Sequence, residues 1–211
     1  MSSEIVLYTN PMSRGRIARW MLEEVGQPYR TEVLDYGTTM KAPPYLAINP
    51  MGKVPAIQHG DEVVTEAAAI CAYLADAFPQ AGLAPSGDDA RAPYYRWMFF
   101  AAGPVEGAVT AKAMGFVAPQ GREASIGWGS YAAVMDALES AVTRSDYIAG
   151  DRFSAADVYV GAQIGFGLMF KSIEPRPAFE RYWQRISVRP AAVRARAIDD
   201  ALIAQARQKA G

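Results

Sequence analysis

The stretch "GKVPAIQHGDEVVTEAAAI", Gly52 to Ile70, decides how the rest of the chain is read. Val54–Gln58 and Glu62–Val64 read as two short strands, with His59-Gly60-Asp61 between them as turn chemistry. A helix from Glu66 to about Phe78 then places Ile70, Leu74 and Phe78 on one stripe. Pro55 is the misfit. It has no N–H for a strand ladder, so it belongs on an edge strand or at a cis bond. Glu66 has an ordinary reading as an acid in the first helical turn, where the helix dipole favours it.

Working outward, Glu4–Thr9 "EIVLYT" is a β-rich run broken by Asn10, Pro11 and Ser13. "RGRIARWMLEEVG" follows with Ile17, Met21 and Val25 on one helical face and Gly26 as its stop. "YRTEVLD" reads as a second strand, which completes a β-α-β opening. "TTMKAPPYLAINPMG" is a loop with a helical turn around Tyr45–Ile48. The order β-α-β, loop, β-β-α predicts a thioredoxin-like domain over residues 1–79. Residues 80–90 read as a linker rich in Pro, Gly, Ala and Asp, and 91–211 as an all-helical domain. Within the latter, a long helix is expected to bend at Gly103-Pro104. Further helices are expected at Ser125–Val142 and through "FSAADVYVGAQIGFGLMF", with two more from Arg176 and Arg189.

Composition narrows the function. The 211 residues are 51% apolar and 20% charged, with a net charge of −1, so no overall field draws the chain to nucleic acid or an anionic membrane. Val158–Phe170 is apolar but too short to cross a bilayer, which needs about 20 residues. The start "MSSEIVLYTN" lacks the pattern of a signal peptide, which predicts a cytoplasmic protein. The chain has one Cys, Cys71, and one His, His59. These two cannot build an internal disulfide, a CxxC redox pair or a Cys/His zinc site. Cys71 reads as packing within an apolar helix and His59 as a turn residue.

"NPMGKVPAI" followed by "TEAAAI", behind a β-α-β opening and ahead of a helical domain, resembles the glutathione S-transferase family. "GDRFSAADV", Gly150 to Val158, carries the resemblance into the second half. It implies a thioredoxin-like N-terminal domain that binds glutathione, an all-α domain that shapes an electrophile site, and usually a homodimer. Pro55 matches the family's cis-proline, and the main chain of Val54 would pair with the cysteinyl backbone of glutathione. Lys53 would lie near the glycyl carboxylate and Glu66 at the γ-glutamyl end. The family usually has Ser after this acid, and here stands Ala67. Its backbone N–H remains at a helix N-terminus, which suits an anion. The lost hydroxyl predicts weaker binding by ~1.5–3 kcal/mol unless Thr65 compensates.

The resemblance places the thiolate-stabilising hydroxyl in "YTNPMSRGR", where Ser13 falls nearest the serine-type position. A donor near a helix N-terminus lowers the thiol pKa and supplies the nucleophile. Ser13 reads equally well as a helix cap, and Asn10 and Tyr8 are the alternatives, Tyr8 sitting inside the strand. Arg14 and Arg16 read as solvated helix charges. In the helical domain, Tyr94, Tyr95, Trp97, Phe99 and Phe100 read as core or subunit interface, and Met98, Ala102 and Val105 as guesses for the electrophile wall. Gly161 and Gly165 are expected to allow close helix packing. Ser154 and Asp157 form a variant capping box, whose loss by Asp157→Ala is expected to cost ~0.5–2 kcal/mol without touching the chemistry. The expected activity is attack of the glutathione thiolate on a hydrophobic electrophile, or glutathione-dependent reduction of a peroxide or disulfide, with no metal. The competing classes are a binding or assembly module of the same fold with little turnover, and an oxidoreductase acting through its own cysteines.

Overall fold

The computed structural model describes residues 4–86 and 88–210. Gly87, within the expected linker, lies outside the described residues, as do residues 1–3 and 211. The chain forms two compact units, Met1–Ala81 with Val188–Gly211, and Gly82–Ser187.

The first unit is built on a four-stranded sheet of order β2-β1-β3-β4, with β1 Ile5–Thr9, β2 Tyr29–Val33, β3 Ala56–His59 and β4 Glu62–Thr65. β1 runs parallel to β2 and antiparallel to β3, and β3 runs antiparallel to β4. Helix α1, Gly15–Val25, supplies the crossover, and Gly26 closes it in the left-handed region with φ 72° and an N–H bond to Leu22 O. The short α2, Pro43–Leu46, follows, and α3, Ala67–Ala77, comes after β4. Leu7, Ile17, Met21, Leu22, Ile57, Ile70 and Leu74 are fully buried between the sheet and α1/α3, the face that the apolar spacing predicts. The β3 strand begins at Ala56 rather than at Val54. Pro55 therefore stands before the ladder and removes no bond from it, and the Val54–Pro55 peptide is cis.

The last helix, α9, Pro190–Ala210, groups with the sheet in this first unit, whereas sequence order alone sets it with the helices of residues 91–211. It lies along α1 with Ala191, Ala192, Ala195 and Asp199 buried on one face. Charges fix the register. Arg16 and Arg19 meet Asp200 and Asp199, while Glu23 and Glu24 meet Arg194 and Arg189. Arg residues early in α1 and Glu residues late in it oppose the helix dipole. The antiparallel partner helix is what makes that order favourable. Arg16 is thus not a solvated charge.

The second unit is helical. Helix α4, Asp88–Phe100, already starts inside the expected linker. It runs through a π-helical turn, Ala101–Val105, into α5, Glu106–Ala113. Pro104 sits within that turn, the predicted bend, because its missing N–H cannot complete an α-helical bond. Helix α6 begins only at Tyr131 and ends at Val142, with Ser130 capping it through its side chain to Ala133 N–H at 3.1 Å. The expected start at Ser125 falls in a 3₁₀ turn, Glu123–Ser125, separated from α6 by Gly127 and Gly129. Helices α7, Ala155–Met169, and α8, Pro177–Ser187, pack closely. A Cβ at Gly161 would stand 2.0 Å from Ile186 Cδ1, and one at Gly165 2.8 Å from the Trp183 ring, so both glycines are needed for the approach. Tyr94, Trp97, Met98 and Val105 are core, Ala102 and Phe100 are half-buried, and Tyr95 and Phe99 are exposed.

The capping box at the start of α7 is present and larger than its spacing suggests. The buried Asp157 carboxylate accepts four hydrogen bonds, from Ile148 N–H (2.8 Å), Ser154 N–H (2.9 Å), Ser154 Oγ (3.0 Å) and Tyr182 Oη (2.7 Å). It ties the loop before α7 to α8 as well as capping the helix.

Candidate active site

Strand register brings the candidate residues to one edge of the sheet. Ala56, the first residue of β3, pairs with Tyr8 on β1 and with Thr65 on β4. The loop after β1, which carries Ser13, the Val54-Pro55 turn before β3, and Glu66-Ala67 after β4 therefore leave the sheet at the same end.

The Val54-Pro55 turn is held from behind. Tyr45 Oη and Asn49 Nδ2 both donate to the carbonyl of Lys53, at 2.6 and 2.8 Å, and Asn49 Oδ1 accepts from Met51 N–H at 3.1 Å. Burial pushes the Tyr45 hydroxyl up to about 12, so it stays a donor at any working pH. Gly52 has φ 55°, and a Cβ there would strike Lys41 and the Met40 carbonyl at 2.9 Å. Lys41 Nζ donates to Met51 O at 3.1 Å, which puts a second ammonium on the loop beside exposed Lys53. Neither the N–H nor the C=O of half-buried Val54 has a hydrogen-bond partner among the described residues. That leaves one donor and one acceptor in an extended segment, the pattern that accepts another strand.

Glu66 has φ 66° and ψ 119°, a sparsely populated conformation for a residue with a side chain, at a cost on the order of 1–3 kcal/mol. It is held there from both sides, by the β3–β4 ladder up to Thr65 and by its own carbonyl, which accepts the first helical bond from Ile70 N–H at 2.9 Å. The result is an exposed carboxylate at the mouth of α3. Ala67 is buried and opens the helix, so its amide belongs to the first turn, which has no carbonyl one turn back to bond.

Ser13 is half-buried, and its hydroxyl is engaged twice. Oγ donates to Asn10 O at 2.6 Å and accepts from Gly15 N–H at 2.9 Å. The capping geometry is thus present one residue earlier than the formal cap, Arg14. The two alternatives are otherwise occupied. Asn10 donates through Nδ2 to Leu34 O at 2.7 Å and accepts at Oδ1 from Met12 N–H at 2.9 Å. Tyr8 turns its hydroxyl to Gln58 Oε1 at 3.2 Å and packs on Tyr45. Cys71 is buried, and burial pushes its thiol up, which keeps it protonated and unreactive. His59 is the last residue of β3, paired with Ile5 and Glu62, rather than part of the turn, and its Nδ1 lies 2.9 Å from Tyr73 Oη at the opposite end of the strand from Ala56. Among the described residues no group of three metal-ligating side chains occurs, and no helix is long and apolar enough to cross a membrane.

A thioredoxin-like sheet with a cis-proline turn beside a helix N-terminus, followed in sequence by a helical unit, defines a two-domain class of fold. The comparisons specify it. Residues 12–77 match the family described as glutathione S-transferase, N-terminal domain, and residues 116–190 match glutathione S-transferase, C-terminal domain. Glutathione S-transferase 3 of Zea mays is 30% identical over 205 residues, which cover 88% of this chain and 90% of that protein. A glutathione transferase from Methylococcus capsulatus str. bath shares the fold with a TM-score of 0.77 at 28% identity, over 93% of this chain and 99% of the other. The theta class glutathione S-transferase of Xanthomonas axonopodis pv. citri, solved with glutathione bound, gives a TM-score of 0.71 at 29% identity over 92% and 97% of the two chains. The chain belongs to the glutathione S-transferase family. Its activity is that class's transfer chemistry with glutathione as co-substrate.

Proposed function

We propose that glutathione lies extended along this sheet edge and that its thiolate attacks an electrophilic, hydrophobic small molecule. The observation that carries the reading is the unpaired main chain of Val54 beside Pro55, with Glu66 held outward nearby. Val54 N–H and C=O pair with the cysteinyl residue. Lys53, with Lys41 behind it, faces the glycyl carboxylate, and Glu66 takes the γ-glutamyl ammonium. The γ-glutamyl carboxylate sits at the Ala67 amide, where the α3 dipole replaces the absent hydroxyl. Sulfur forms the new bond to carbon as the leaving group departs with its electron pair, and the same bound thiolate serves peroxide or mixed-disulfide reduction. The protein acts in the cytoplasm as a homodimer, with Tyr95 and Phe99 on α4 offered to the second copy.

Ser13 stabilises the thiolate by turning its hydroxyl from Asn10 O to the sulfur while Gly15 N–H keeps hold of Oγ. Ser13→Ala is expected to raise the pKa of the bound thiol. The loss of a hydrogen bond to a charged group, ~1.5–3 kcal/mol, lowers kcat/KM about 10- to 100-fold. The ultraviolet absorbance of bound thiolate, titrated with pH, checks this. Undiminished conjugation by Ser13→Ala moves the role to the main chain. A wild-type protein that leaves the thiol at its free value, about 8.5 for an unperturbed thiol, defeats the reading as a whole.

A further inference from the structure

We propose that Arg16 and Asp200 are positioning residues for this chemistry, through which the C-terminal helix α9 braces the loop that carries Ser13. Arg16 spans the two. Its Nε donates to the carbonyl of Pro11 at 2.9 Å, and its Nη2 pairs with Asp200 Oδ1. Pro11 follows Asn10, whose carbonyl accepts both Ser13 N–H at 3.0 Å and Ser13 Oγ at 2.6 Å. A chain of contacts therefore runs from α9 through one guanidinium to the oxygen proposed to meet the thiolate.

Two features make Arg16 suited to this and a lysine unsuited. The guanidinium donates along two directions at once from a rigid fork, one to a carbonyl and one to a carboxylate, whereas an ammonium on a flexible stem is a single point. The Arg16 side chain is largely covered, at 17% exposure, while Asp200 is 58% exposed, so the arginine is held and its partner is open to substitution. Next to them, Arg19 and Asp199 form a pair that is 1% exposed on both sides, which fixes α9 against α1. Asp200 therefore meets Arg16 from a rigid support.

The inference rests on the reading of Ser13 as thiolate donor, and its test separates bracing from a plain charge effect by sign. Removing the carboxylate in Asp200→Asn leaves the positive charge of Arg16 less compensated. If Arg16 acted only through its field, the bound thiol would ionise more readily and activity would rise. Under bracing, the loop loosens. Asp200→Asn then lowers kcat/KM by about threefold or more and moves the acid limb of its pH profile upward, since small misplacements of a catalytic group are costly, with glutathione affinity by calorimetry nearly unchanged. Arg16→Lys shows the same change and no rescue. Arg194→Gln is the control. It removes another α1–α9 pair, Arg194 Nε to Glu23 Oε2 at 3.0 Å, with no link to the loop, and is expected to leave both kcat/KM and the pH profile as they are. An unchanged or faster Asp200→Asn enzyme, or an equal loss in Arg194→Gln, overturns the proposal. If the wild-type protein does not ionise glutathione at all, the functional reading has failed instead.

Discussion

Replacing Arg19 by Met is expected to destabilise the protein by about 3–5 kcal/mol, because it leaves Asp199 as a buried carboxylate without its partner. Arg19 Nε donates to Asp199 Oδ1 at 2.9 Å, and the other oxygen, Oδ2, has no hydrogen-bond partner among the described residues. Arg19 also donates through Nη1 to Tyr29 Oη at 3.2 Å and Thr31 Oγ1 at 3.1 Å, so β2 loses its tie to α1 as well. Burial already pushes the Asp199 carboxyl up, and the Arg19 charge is the strongest influence pulling it back. Without Arg19 it rises further. A folded carboxyl that holds its proton more tightly than the unfolded one, near 3.9, gives stability that falls as pH rises above that value. Urea midpoints of Arg19→Met should therefore drop more steeply from pH 5 to pH 8 than those of the wild type. Arg19→Met/Asp199→Leu, which removes both charges, should recover most of the loss. A loss that is the same at every pH rules out the buried carboxylate as its source.

Asp157→Ala is expected to cost about 3–5 kcal/mol, well beyond a lost helix cap, since several buried donors lose their acceptor together. Ile148 N–H, Ser154 N–H and Tyr182 Oη converge on this one carboxylate. Burial raises the Asp157 carboxyl while these donors lower it, and burial, with the nearby Asp157 carboxylate, pushes the Tyr182 hydroxyl well up. Tyr182 is thus a donor throughout. Equilibrium unfolding in urea measures the cost. Tyr182→Phe, which deletes one donor and leaves none stranded, should cost only about 1 kcal/mol. A loss of ~0.5–2 kcal/mol in Asp157→Ala, the cost of a cap alone, would refute this account.

The fold was legible wherever local chemistry decides local structure. Gly26 stops α1, Pro104 marks the π-helical turn, and Gly161 and Gly165 let α7 and α8 approach. Periodicity also gave the buried stripe of α3. It failed where a partner distant in sequence decides. Arg16 looks like a surface charge until α9 supplies Asp200, 184 positions later, and Arg19 shows no partner until Asp199, 180 positions later. For the same reason nothing in the sequence around α9 points to α1 as its partner. One signal was available: α1 carries its Arg and Glu residues against its dipole, which asks for an external partner. Within the candidate site, Val54, Pro55 and Glu66 were visible as a spaced motif. Tyr45 and Asn49 were not, because a side chain anchoring a carbonyl eight or four residues away has no pattern of its own.

The pairing of Arg19 with Asp199 also sets an order of events during synthesis. The ribosome delivers the first helix of the sheet unit well before its companion helix, with the whole second unit made in between. The sheet unit cannot finish folding on the emerging chain, since its buried arginine waits for a carboxylate 180 positions downstream. Chains stalled before residue 190 should therefore digest rapidly within the first unit under limited proteolysis, and released chains that include α9 should resist. Equal resistance of the two would show that the nascent unit closes without its last helix.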